Sequence, residues 1–317
     1  MDVDATSHID RVLTAAWEAQ SVWSQTADQL KRSLLWARTA ALSLIIVAAC
    51  AGALVAPAAA RISSGAGVGL AWLAAASAGS LAVVQKLASR GQVQGWARAR
   101  SVSEALKTEV YIFLAGVAPY RGADKLIRFT ENVKAVLEKA DDLKDKAIGI
   151  APKTRSLPPV NNVESYIAER VEAQIRDYYG PKSRETASRA RQFRAAGIAV
   201  ALIAALLSAT ASVPKWQAVA AWLPVITTIA AVVTAEAAFH RYEALALEYA
   251  RTEQQLKDLL IDRSIDENAS SAAAGDEFVH SAELVISIQN EAWMARRVAA
   301  DTTLPAGGTA RANCDNS

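Results

Sequence analysis

Residues 195–214 read AAGIAVALIAALLSATASVP and, beyond the lone charge of Lys215, residues 216–235 read WQAVAAWLPVITTIAAVVTA. Neither stretch holds an Asp, Glu, Lys or Arg. At about 1.5 Å of rise per residue, each is long enough as an α-helix to cross the ~30 Å hydrocarbon core of a bilayer. A helix in a soluble core is usually shorter and polar on one face. Two more charge-free windows, Thr39–Ala60 and Ile62–Gln85, flank Arg61 near the start of the chain. The expected fold is an all-α membrane protein with four transmembrane helices in two hairpins, the spans near 37–57, 67–86, 195–213 and 217–238, and helical extensions on the cytoplasmic side.

The second window is the weakest. It contains Gly65, Gly67, Gly69 and many alanines, which insert less readily than leucine, so its helix is expected to begin near Val68. Small residues would let it lie close against the first span. The acidic residues Asp2, Asp4, Asp10, Glu18 and Asp28 ahead of the first window argue against a secretory signal.

Composition narrows the class further. The residues are 52% hydrophobic, yet bunched into those windows, and 34 basic residues face 32 acidic ones, so no nucleic-acid partner is expected. Cys50 lies in an apolar run and Cys314 in a polar tail, a pattern that gives no disulfide framework.

Basic residues orient the spans. Lys31, Arg32 and Arg38 precede the first, Lys86, Arg90, Arg98 and Arg100 follow the second, and Lys182, Arg184, Arg189, Arg191 and Arg194 precede the third. The hairpin turns hold only Arg61 and Lys215. The positive-inside rule then places both termini and the central segment in the cytoplasm.

Outside the windows the pattern stays helical. One helix is expected from Ile9 to Trp36 into the first span, another over Ala97–Leu114, a break at Pro119, and an amphipathic helix over Ala123–Ala147. Pro152, Pro158 and Pro159 mark a linker at 150–162 between a first domain, 1–149, and a second, 163–300, with a disordered tail at 301–317. A helix from Val163 is expected to be interrupted at Gly180–Pro181. His240–Asp262 should extend the fourth span, and Asp276–Val298 forms a last helix. The same order of elements thus occurs twice.

No catalytic constellation, metal cluster or phosphate loop is legible, so neither an enzyme nor a cofactor is expected. Glu236 and His240 share a helical face where the fourth span ends, either as a proton-handling pair at an inner mouth or as an interfacial pair. Thr227, Thr228, Thr234, Ser77 and Ser208 are candidate pore-lining groups, with hydroxyls bonded to their own helix as the simpler alternative. Glu283 and Glu291, two helical turns apart, are candidates to couple the last helix to Arg184, Arg189 or Arg241, and Trp293 to pack beside them.

Tyr166, Tyr178, the basic run 189–194, the exit helix around Tyr242, Tyr249, Thr252 and Leu256, and the segment ELVISIQNEAW at 283–293 together resemble the SLATT family of two-transmembrane domains. The first half resembles another variant of that domain, as in a tandem pair. The resemblance implies a membrane effector of a bacterial conflict or antiphage system. Such an effector is expected to form a homo-oligomeric pore, or otherwise disrupt the bilayer, on the signal of a nucleotide-signalling or sensor partner. A membrane scaffold for cytoplasmic partners is the alternative. A small-solute transporter is a weaker one, because no charge lies at mid-span.

Overall fold

A computed structural model describes residues 3–61, 63–87, 90–210, 213–216, 219 and 222–302, with the side chains at 3–6, 56–61, 82–83, 85–87, 90, 214 and 288–302 outside the description. The described residues are all-helical. Helix α1 (Val3–Arg61) is a single rod of 59 residues. It meets no glycine before Gly52 and no proline before Pro57, so nothing breaks its hydrogen-bond ladder as it passes from polar to apolar sequence. The Ser63 hydroxyl accepts the Ala66 N–H at 3.1 Å and starts α2 (Ser64–Leu87), which folds back along α1.

Helix α3 (Arg90–Ala115) packs on the other end of α1, where Trp23 and Ala27 meet Trp96, Ala99, Val102 and Leu106. Gly116, at φ 67°, ends it ahead of Pro119. The amphipathic segment that follows is not one helix. It divides into α4 (Lys125–Glu138), a 3₁₀ turn at Asp141–Leu143 and a short turn at Lys144–Ala147. Phe129 anchors α4, its ring 4.9 Å from that of Phe113.

Residues 150–162 carry no regular secondary structure, but they are strapped to α1. Gln25 donates to the Ala151 carbonyl at 2.9 Å, the Lys153 N–H to the Ser21 hydroxyl at 2.9 Å, and the Trp17 indole to the Ser156 carbonyl at 3.1 Å. The Arg155 guanidinium lies 3.7 Å above the Trp17 ring.

A capping box between Asn162 and Ser165 opens α5 (Val163–Thr210). The expected interruption at Gly180–Pro181 does not occur. The helix widens into π turns at Ile167–Glu172 and Gln174–Tyr179, and this local change of register carries the chain past a proline that cannot donate. The turn brings the Ile175 carbonyl within 3.0 Å of where a Cβ on Gly180 would stand. Helix α6 (Leu223–His240) packs back on α5. It does not run straight on. Arg241 adopts φ 47°, and α7 (Tyr242–Ile265) leaves from that joint. Helix α8 (Ala272–Thr302) follows a short turn.

A single apolar cluster joins the two halves: Leu13 and Trp17 of α1, Val110 and Tyr111 of α3, Phe129 of α4, Tyr166 and Val171 of α5, Leu256 of α7, and Phe278, Val279, Ala282 and Ile286 of α8. The buried face of α8 runs through Phe278, Val279, Ala282, Glu283 and Ile286, while Leu284 points outward and is 57% exposed.

Among the described residues, three helices are long and apolar enough to cross a membrane, those at Ser7–Val55, Val163–Thr210 and Leu223–Ile265. The charge-free windows predict four. Helix α2 is not among the three, and part of its apolar C-terminal stretch, at 82–83 and 85–87, lies outside the described side chains.

Candidate functional site

The one fully buried carboxylate among the described residues is that of Glu283, on the inward face of α8 between Ala282 and Ile286. Its Oε1 accepts from Arg170 Nε at 2.9 Å and from the Tyr166 hydroxyl at 3.0 Å. Its Oε2 accepts from an Arg170 terminal nitrogen at 3.0 Å and from the Thr108 hydroxyl at 2.7 Å. Arg170 and Glu283 keep 2% and 4% of their side-chain exposure. Burial alone would push the Glu283 carboxyl up, but the facing Arg170 charge and the donated hydrogen bonds outweigh it and hold the carboxyl below its ordinary range. The guanidinium also sits 4.6 Å over the Tyr111 ring.

With four donors the carboxylate is saturated, so it does not act here as a proton acceptor. Its effect is mechanical. Thr108 belongs to α3, Tyr166 and Arg170 to α5, and Glu283 to α8, so one carboxylate pins three helices from both halves. Half-buried Lys107 stands at the margin, lowered to about 8 chiefly by burial and then by the nearby Arg170 charge.

These contacts revise the expected partners of Glu283, which were Arg184, Arg189 and Arg241. Arg189 pairs with Glu185 at 2.9 Å instead. A carboxylate on the inward face of α8 meets the start of α5, far from the basic collar beside the spans. Arg170 escapes a reading of the sequence because it resembles a solvated charge. The available signal is its place four residues after Tyr166, inside the apolar stripe of Ile167, Val171 and Ile175. Glu291 and Trp293 lie on α8, but their side chains fall outside the described residues.

A second cluster sits where α6 ends. His240 Nε2 is 2.8 Å from Glu236 Oε1, as their spacing implies, and Arg38 of α1 donates to Glu236 Oε2 at 2.8 Å and to the Ala235 carbonyl at 3.1 Å. The Arg38 guanidinium covers the Phe239 ring at 3.5 Å. Glu236 is therefore shared between the hairpins.

Four of the candidate lining hydroxyls bond to carbonyls of their own helices. Thr227 and Thr228 both donate to the Pro224 carbonyl, at 3.0 and 2.7 Å, Thr234 to Ala230 at 2.9 Å, and Ser208 to Ala204 at 2.8 Å. Each is spent on its own helix. Ser77 is buried on α2. Among the described residues, no group of His, Cys, Asp or Glu is arranged to hold a metal ion.

Residues 166–293 match the family of the SMODS and SLOG-associating 2TM effector domain 1, and residues 21–126 match the family described as protein of unknown function (DUF4231). No curated protein and no solved structure matches the chain. The SLATT family is thus supported for the second half, and the first half is similar to a different family. The matched segments meet at the buried carboxylate: Thr108 lies in one, Tyr166, Arg170 and Glu283 in the other. The apolar helices and the two-transmembrane domain together suggest a membrane protein.

Proposed function

We propose that this protein is a membrane effector of a bacterial conflict or antiphage system, resident in the inner membrane with both termini cytoplasmic, that assembles into an oligomeric pore on a partner's signal. The match of residues 166–293 to a two-transmembrane effector domain carries the reading. The exposed apolar surface supports it. At most 6% of each candidate spanning window is buried within the protein, and Ile198, Leu202, Ile203 and Leu206 of α5 all face outward. Water does not tolerate a surface of that kind, whereas lipid does. The first half extends the same architecture, with α1 and α2 as a second hairpin, so tandem copies and four crossings belong to the same proposal.

One chain encloses no conducting path, since packed helices lie about 8–10 Å apart and side chains fill the space between them. Several copies are required, and the Thr227, Thr228 and Thr234 face of α6 then lines the path after its hydroxyls turn from their own backbone. Arg38 on Glu236 describes a resting arrangement in which the inner-mouth carboxylate is covered. The test is conductance or dye release from liposomes holding the purified protein with its nucleotide-signalling partner. Discrete conductance supports the pore. An assembled, triggered protein that passes neither ions nor dye leaves the scaffold reading, which draws on Ile261, Ile265 and Leu284, apolar side chains exposed on the helices beyond the spans.

A further inference from the structure

Where α5, α6 and α7 meet, the protein leaves a groove of about 610 Å³. Its floor is apolar, formed by Gly197 and Ile198 of α5 and Val233 and Ala237 of α6. Its mouth is polar, formed by Arg194, Arg241, Tyr242 and Glu243. A Cβ on Gly197 would meet nothing within 4 Å, so the floor is open at that point. The volume lies within the roughly 300–1,000 Å³ of small-molecule sites.

Charge at the mouth selects the occupant. Arg194 is ion-paired with Glu243, and Arg189 is paired with Glu185. The exposed Arg241 side chain has no partner among the described residues. The same residue holds φ 47°, the only positive φ outside glycine among the described residues, a conformation that costs free energy for an L side chain. A strained, unpaired arginine thus stands at the end of an apolar trough, where α6 passes into α7.

We propose that this groove binds one anionic phospholipid, its phosphate on Arg241 and an acyl chain along Gly197, Ile198, Val233 and Ala237. The inference rests on the membrane reading above and adds a headgroup preference to it. A guanidinium and a phosphate form a charge-assisted pair at an interface where both are partly dehydrated. A trough flanked by outward-facing apolar side chains would exclude a soluble phosphate compound. An apolar helix from a second copy would fill the floor but leave Arg241 without a counter-charge.

The test uses the full chain extracted from membranes in a mild detergent and native mass spectrometry with phosphatidylglycerol or phosphatidylcholine of identical chains. The expected result is about one retained phosphatidylglycerol per chain, with retention weakened about tenfold by Arg241→Gln through the loss of one charge-assisted contact, weakened likewise by Gly197→Leu, which fills the floor, and unchanged by Arg251→Gln on exposed α7 surface. Equal retention of the two lipids, or retention indifferent to both groove variants, overturns the site. So does displacement of the lipid by inorganic phosphate alone, which would mark a plain anion site. A Gly197→Leu chain that changes subunit number while keeping its lipid would assign the groove to a second copy. A chain recovered without detergent in the soluble fraction would instead overturn the membrane reading itself.

Discussion

Arg170 holds both carboxylate oxygens of Glu283 across 113 positions of sequence, with almost no solvent reaching either side chain. A buried pair of this kind adds little net stability over a well-packed apolar replacement, but losing one partner strands the other in a poorly solvating interior.

Arg170→Met should therefore destabilise the helical bundle by about 3–5 kcal/mol, and the double variant Arg170→Met/Glu283→Leu by less than the sum of the two single changes. Denaturant unfolding in detergent, followed by tryptophan fluorescence, measures both. Full additivity would mean that the pair is not coupled.

The same carboxylate sets an acid limit. Its folded value lies below the ordinary one near 4.5, so the folded state gives up the proton more readily than the unfolded chain does. The resulting stabilisation is complete above the ordinary value and is lost as pH falls through the lowered one. Unfolding midpoints should drop as pH falls below about 4.5, and this drop should shrink in the Arg170→Met/Glu283→Leu double variant. An unchanged acid limb there would place the effect on other carboxylates.

Lys107 acts in the opposite range. Its ammonium is lowered from 10.5 to about 8, so the unfolded chain binds the extra proton between those values, and stability should rise as pH climbs through that window. Lys107→Met should remove the rise and stabilise the protein at neutral pH. Thermal scans at several pH values from about 7 up to 10.5 report both effects, and a flat wild-type profile would contradict them.

Arg38→Gln should uncover Glu236 by removing the cation that joins α1 to α6. Under the pore reading, liposomes bearing this variant leak at lower trigger levels, and Glu236→Gln reduces cation preference by removing the carboxylate ring at the inner mouth. Leak thresholds equal to those of the parent would show that the contact does not guard the path.

Topology has its own check. Gly65 and Pro159 are both exposed, the first in the opening turn of α2 beside the hairpin turn and the second in the irregular segment at 150–162. Cysteines placed there in a Cys50→Ala, Cys314→Ala background should label from opposite faces of intact membranes, Gly65→Cys from outside and Pro159→Cys only after permeabilisation. Labelling of both from outside would rule out four crossings.

The long apolar helices are legible in the sequence because the absence of charge is a property of a local window. The break before Pro119 and the Glu236–His240 contact are legible for the same reason, since both act over a few residues. What the sequence conceals is nonlocal. Arg170 and Arg38 each resemble solvated charges until helices 113 and 198 positions away bring Glu283 and Glu236 to them. Pro181 has the character of a terminator, and only the π turns ahead of it show how a helix carries on past a missing donor. The phase of α8 is hidden because Leu284 is more apolar than Glu283, yet the buried partner, not hydrophobicity, decides which of them faces inward.

The strap at 151–156 changes how movement would travel through the molecule. A slack connection would let the second half shift while the first stayed still, but this one is fastened at several points to the near end of α1. That helix is a 59-residue rod, about 88 Å long at ~1.5 Å per residue, and its far third reaches the first hairpin turn. Geometry then acts as a lever: a tilt of about 5° about the fastened stretch sweeps the tip of the rod, about 60 Å away, through about 5 Å, more than half the distance between packed helices. Under the four-crossing reading, a small rearrangement around Glu283 would reach the far face of the bilayer as a shift of several ångströms.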